Sequence, residues 1–215
     1  MTGNSFFAIR IKKKRSTFDV DPCTIVSMTS EFTTPNPQTM HTTVQLFLDC
    51  EFTGFVEPQL LSMGIVLNDS CDFYGELNVS AFHREKNEFV DEHVLSQWGK
   101  VPTAYSSRKQ MAQELSRWLF SLQAEHIEVH YDYHTDMDLL ESLLKEADLW
   151  VSWERVLVPT HVGYLYGDDR VDPYMATCWA NEEERTGLKA HHALVDARVL
   201  RQVFLMVHNG CEEKN

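Results

Sequence analysis

The sequence predicts one α/β domain: an antiparallel three-strand meander plus a further strand forms a mixed sheet flanked by helices. Three observations predict it. Strand-like apolar runs follow one another from residue 43 with only short polar links between them. A strongly amphipathic stretch comes next, and a fourth strand-like run then leads into two more helical stretches.

The elements follow in order. "TVQLFLDC" (43–50), "QLLSMGIVL" (59–67) and "DFYGELNVS" (72–80) read as strands, and their connections carry Gly54, Asn68 and Asp69, as tight links do. "SSRKQMAQELSRWLFSL" places Met111, Leu115, Trp118, Leu119 and Leu122 on one helical face, and Ser107 with Gln110 offers a capping box at its start. Trp118 is therefore a core residue before it is a base-stacking one. "HIEVHY" (126–131) alternates as a strand does. "DMDLLESLLKEA" then turns Leu139, Leu140, Leu143 and Leu144 inward, and "ALVDARVLRQVFLMV" closes the domain as a last helix. Residues 1–40 differ: "RIKKKR" and the Ser/Thr/Pro-rich "TSEFTTPNPQTM" lack periodicity and read as a flexible arm. The expected organisation is an arm over 1–40, a folded domain over 41–210 and a short tail over 211–215.

Composition narrows the functional classes. A chain of 215 residues with 43% hydrophobic content can bury one sizeable core. The net charge of −13 argues against a sequence-independent grip on long nucleic acid, which needs many lysines and arginines on phosphates. It leaves open an enzyme that engages only a chain end and uses bound metal as its local positive charge. The five cysteines (Cys23, Cys50, Cys71, Cys178 and Cys211) are odd in number and show no C-x-x-C spacing, so a reducing, cytoplasmic setting is expected. The apolar runs are too short and too interrupted by charge for a membrane span, and the N-terminus does not read as a secretory leader.

"LFLDCEFTGF" raises the chemical question. On a strand, Asp49 and Glu51 project to the same side and Cys50 to the other. Two anions side by side in a largely buried element need positive compensation, and a divalent metal ion provides it. Taken alone, a D-x-E pair is more often a solvated strand end. A second pattern, "HHALVDARVLRQVF", changes that balance: His191 stands five residues before Asp196, and Asp196 lies among Leu194, Val195 and Ala197, where an unpaired charge is costly. His126, His130 and His134 are four apart, but four residues of strand span about 13 Å, too far for two imidazoles to share an ion.

Together the two patterns resemble the DEDDh 3′–5′ exonucleases of the RNase H-like superfamily. The D-x-E-x-T-G strand end is Asp49, Glu51, Thr53 and Gly54, and the H-x-A-L-x-D-A segment is His191, Ala193, Leu194, Asp196 and Ala197. The resemblance runs from about residue 45 to 207. "LLSMGIVLNDSCDFYGELN", "EHVLSQW" and "HHALVDAR" are most similar to the compact mycobacterial-type exoribonuclease branch.

The resemblance implies an RNase H-like fold and hydrolysis of phosphodiester bonds from the 3′ end of single-stranded nucleic acid, RNA favoured over DNA. It implies a two-metal site of the kind in which ions stand roughly 3.5–4 Å apart. Mg²⁺ is the expected ion, with Mn²⁺ able to replace it, since hard ions take oxygen ligands. Asp49, Glu51 and Asp196 become ligands, and His191 the general base. A fourth carboxylate is sought in "HYDYHTDMDLL", which offers Asp132, Asp136 and Asp138; Asp136 is assigned because it sits at the turn into the helix, with Asp138 as the alternative. Phe52, Thr53 and Gly54 become contacts to the terminal nucleotide. A DNA exonuclease of repair or proofreading type and an inactive nuclease fold that binds a chain end or a protein are the alternatives. A homodimer is compatible with the resemblance, and no membrane partner is expected.

Overall fold

The computed structural model describes residues 42–68, 71–78 and 87–209. The arm expected over 1–40 and the tail over 211–215 lie outside them. The strands β1 (Thr43–Phe52), β2 (Leu60–Asn68) and β3 (Cys71–Leu77) pair antiparallel in sequence order, which is the meander expected from their short links. β4 (Ala104–Tyr105), β5 (His126–Tyr131) and β6 (Leu157–His161) each pair parallel to a neighbour, giving a six-stranded mixed sheet of order β4-β3-β2-β1-β5-β6.

Among the described residues, the α-helices flanking the sheet are α1 (Arg108–Ser121), α2 (His134–Glu146), α3 (Trp150–Trp153), α4 (Val171–Thr186) and α5 (Ala193–Asn209). β1 sorts them into layers by alternation. Leu46, Leu48 and Cys50 enter a core with Met111 and Leu115 of α1 and Leu140 and Leu143 of α2. Phe47 points the other way, into a core with Cys178 of α4 and Val195, Val199 and Val203 of α5. The Ser107 hydroxyl accepts the Gln110 N–H at 3.2 Å, but the return bond differs from a capping box: Gln110 Oε1 accepts from the backbone and hydroxyl of Ser106. Trp118 packs on Phe73 at the edge of the first core, 5.9 Å between ring centroids.

The sequence reading omits β4, α3, β6 and α4. β6 has five residues with Pro159 among them, which is tolerated because the strand lies at the sheet edge. α4 buries only Val171, Cys178 and Glu182, too few apolar positions to mark a face. His130 is 2% exposed, packed between Phe47 and Phe204 at 5.0 and 4.7 Å, while His134 begins α2. No helix among the described residues is long and apolar enough to cross a membrane.

Gly64 sets how closely α5 approaches the sheet. It lies opposite Asp49 in the β1–β2 register, and a β-carbon there would stand 2.3 Å from the Ala193 carbonyl oxygen and 2.5 Å from the Leu194 nitrogen. Gly64→Ala is therefore expected to push the start of α5 off the sheet and destabilise the fold by about 1–3 kcal/mol, read as a lower Tm. An unchanged Tm would show that α5 is held elsewhere.

Candidate active site

β1 and β5 are parallel neighbours, so their C-terminal ends lie side by side. Asp49 and Glu51 project from the first, and Asp132 and Asp136 follow the second. A register irregularity between Glu51 and Phe52 ends the regular pairing there, a common device for re-aiming a side chain beside a site. α5, docked over Gly64, adds Asp196 from its first turn. These five carboxylates and His191 line one cavity of about 520 Å³, and none of its described lining residues is a lysine or arginine. Single ligand atoms of Glu51, His191 and Asp196 lie within 4.8 Å of one another, as do those of Asp49, Asp132 and Asp136.

Hydrogen bonds orient Asp136, Asp196 and Asp132. Asp136, in the first turn of α2 and 2% exposed, accepts the Cys50 N–H at 3.2 Å through Oδ1. Asp138, the alternative, lies on the exposed face of α2. Asp196 accepts the indole N–H of Trp179 at 2.6 Å through Oδ1 and the His191 N–H at 2.8 Å through Oδ2. Asp132 accepts the Tyr166 hydroxyl. Among the described residues, the buried Oδ2 atoms of Asp49 and Asp136 have no hydrogen-bond partner.

Burial and mutual repulsion among the carboxylates set the electrostatics of the cavity. Burial in the cavity, then the charges of Asp196, Asp136, Glu51 and Asp132, hold the Asp49 carboxyl well above the usual carboxylate range. Burial, then Asp196, pushes Glu51 up to about 8. Asp196 is pushed up to about 7 by burial, against the pull of its Trp179 and His191 hydrogen bonds. Asp136 rises too, through burial and then Asp132. His191 is lowered by burial and by the neighbouring His93. An all-oxygen set with two buried, unpartnered carboxylate oxygens suits hard divalent cations, so Asp49, Glu51, Asp136 and Asp196 fit such an ion, with Asp132 as an additional oxygen donor.

Aromatic rings form the rim. Phe52 stacks on Tyr133 with centroids 6.3 Å apart, and Phe55, 76% exposed, meets both edge-on at 5.7 Å. Across the cavity, Phe89 meets the His191 ring edge-on at 4.8 Å. Gly54 has φ 156°, a conformation that favours glycine, whereas the Thr53 hydroxyl accepts the Gln59 N–H at 3.1 Å and so closes the 53–59 loop.

Asp132, Phe55, Phe89, Tyr133, Tyr166 and Trp179 join the site without having been assigned to it from sequence. Asp132 carried a signal, since it follows a strand adjacent to the one bearing Asp49 and Glu51. Trp179 and Tyr166 carried none, because their segments have no readable periodicity.

No protein-family model matches the chain, and no curated protein does. Among solved structures it is similar to cell-death related nuclease 4 (CRN-4), at 13% identity and a TM-score of 0.45, covering 78% of this chain and 64% of that one. It thus spans less than two thirds of that nuclease. It is also similar to the nuclease domain of 3′hExo, a DEDDh family member bound to rAMP, at 14% identity and a TM-score of 0.46, covering 78% of this chain and 93% of that one.

Proposed function

We propose that the protein is a divalent-metal-dependent 3′–5′ exonuclease that hydrolyses single-stranded RNA from its 3′ end. The observation that carries the reading is the convergence of Asp49, Glu51, Asp136 and Asp196 in a cavity with unpartnered buried oxygens, no lysine or arginine among its described lining residues, and a histidine at its edge. Those four carboxylates would hold two Mg²⁺ ions, which supply positive charge for the carboxylates and the scissile phosphate.

The chain's own residues do the rest. Phe52, Phe55 and Tyr133 offer faces and edges for stacking unpaired bases, which suits a single-stranded end better than a duplex. His191 takes a proton from the attacking water. The water oxygen bonds to phosphorus, the bond from phosphorus to the 3′ oxygen breaks, that oxygen acquires a proton, and a nucleoside 5′-monophosphate leaves. RNA is preferred on the resemblance of "EHVLSQW" and its companion segments to the exoribonuclease branch.

The test is a gel of 5′-labelled RNA and DNA oligonucleotides with and without Mg²⁺. Metal-dependent ladders shortened from the 3′ end on RNA support the reading. Ladders on DNA alone transfer it to a repair or proofreading nuclease, and no cleavage of either with Mg²⁺ or Mn²⁺ leaves a binding module.

A further inference from the structure

Gln97 closes the helical segment 90–97, a π-helical turn over Val90–Val94 followed by a 3₁₀ turn over Leu95–Gln97. It is 3% exposed, and it lies outside the cavity. Its amide is nevertheless fully engaged with the loop that presents His191. Oε1 accepts the Lys189 N–H at 2.6 Å, and Nε2 donates to the Ala190 carbonyl at 2.9 Å and to the His93 carbonyl at 3.0 Å.

The next residue, His191, has φ 64°, a left-handed conformation that a residue bearing a β-carbon disfavours. Such a backbone persists only where its surroundings over-determine it. On one side the Asp196 carboxylate accepts the His191 N–H at 2.8 Å; on the other, Gln97 fixes the two residues that precede it. Only a side chain that both donates and accepts can satisfy an N–H and a carbonyl at once, which is why an amide fits there. Through His93 the same amide also steadies the wall on which the imidazole packs, with His93 5.8 Å and Phe89 4.8 Å from the His191 ring.

We infer that Gln97 is a positioning residue for His191: its amide holds the 189–190 backbone that leads into the left-handed His191, so that the imidazole faces the carboxylates. The inference rests on the proposed nuclease reading for its catalytic consequence, but not for its structural one.

The test is Gln97→Met, which keeps the length of the side chain and removes its hydrogen bonds. Lys189 is exposed and Ala190 half-buried, so water can take up the released backbone groups and the fold should survive. kcat on labelled RNA should fall roughly 10- to 100-fold, as expected for a displaced catalytic group. KM and Mn²⁺ affinity should stay within about twofold, since no ligand to ion or substrate is touched. In a His191→Ala background the same substitution should change kcat by less than about twofold, because the group it positions is gone.

The ring signals of His191 in a ¹H–¹³C NMR spectrum, assigned by their loss in His191→Ala, should shift or broaden in Gln97→Met. Unchanged signals in a folded variant, or an equal loss of kcat in both backgrounds, would overturn the inference. Should Gln97→Met fail to fold, Gln97→Glu takes its place: it keeps the Lys189 bond, loses the donors to Ala190 and His93, and must still move the His191 signals. If the wild-type protein cleaves no nucleic acid, the nuclease reading falls, and the NMR comparison still decides the role of Gln97.

Discussion

Asp49→Asn is expected to lower kcat on labelled RNA by roughly 10³-fold or more while making the ion-free protein more stable. The first effect would follow from losing one of the proposed metal ligands, since metal stabilisation of transition-state charge amounts to several kcal/mol. The second follows from the proton balance. In the ion-free fold, Glu51 titrates at about 8 against an ordinary 4.5, Asp196 at about 7 against 3.8, and Asp49 well above its usual range, all through burial first and neighbouring carboxylates second. Between the ordinary and raised values the folded chain binds more protons than the unfolded one, so stability falls as pH rises.

Buried histidines oppose this at the acid end. His192, lowered by burial to about 4, and His130, also lowered by burial, withdraw stability as pH drops below the ordinary imidazole value of 6.5. The carboxylate effect is therefore clean between about pH 6.5 and 8. In chelator, Tm should decline across that interval, Mg²⁺ or Mn²⁺ should raise it, and Asp49→Asn should flatten the decline. A wild-type Tm that climbs from pH 6.5 to 8 in chelator would contradict the carboxylate account.

The second large effect separates two adjacent histidines. His191→Ala should reduce kcat by roughly 10²–10⁴, the range of general acid–base catalysis, with ion affinity retained because the carboxylates remain. His192→Ala should behave differently. His192 is 3% exposed and stacked on Tyr74 at 4.7 Å, and among the described residues neither of its ring nitrogens has a partner. Its loss should open a cavity and lower stability by about 1–3 kcal/mol, with kcat close to wild type where the protein is folded. Measured side by side, a dead His192→Ala and an active His191→Ala would move the base by one position and withdraw the assignment.

Much of the sheet was legible because β1 and β2 are short continuous apolar runs and β5 begins with polar and apolar residues in alternation, while α1, α2 and α5 repeat apolar residues at helical spacing. α4 was not, because its buried face holds Val171, Cys178 and a glutamate rather than an apolar stripe. The site divides in the same manner. Asp49, Glu51, His191 and Asp196 stand in short motifs, and the structure gathers them with Asp136. Gln97 and Trp179 act by hydrogen bonds to residues distant in sequence, and no local pattern encodes such a bond. Asp132 was visible but underweighted: only the bend at 132–133, where β5 gives way to α2, keeps both Asp132 and Asp136 on the cavity.

The close seat of α5 over Gly64 also bears on the order of events in time. The strands β1–β3 can pair through short loops, whereas α5 must return over most of the domain before Asp196 meets Asp49, a closure that comes at high sequence separation and against charge repulsion. A partly folded chain with the meander formed and α5 undocked would lack the complete ion site. On the proposed metal-dependent reading, a divalent ion would recognise only the finished arrangement, so it should slow unfolding while leaving the folding rate nearly unchanged, and act as a latch on a fold already made rather than a template for making it.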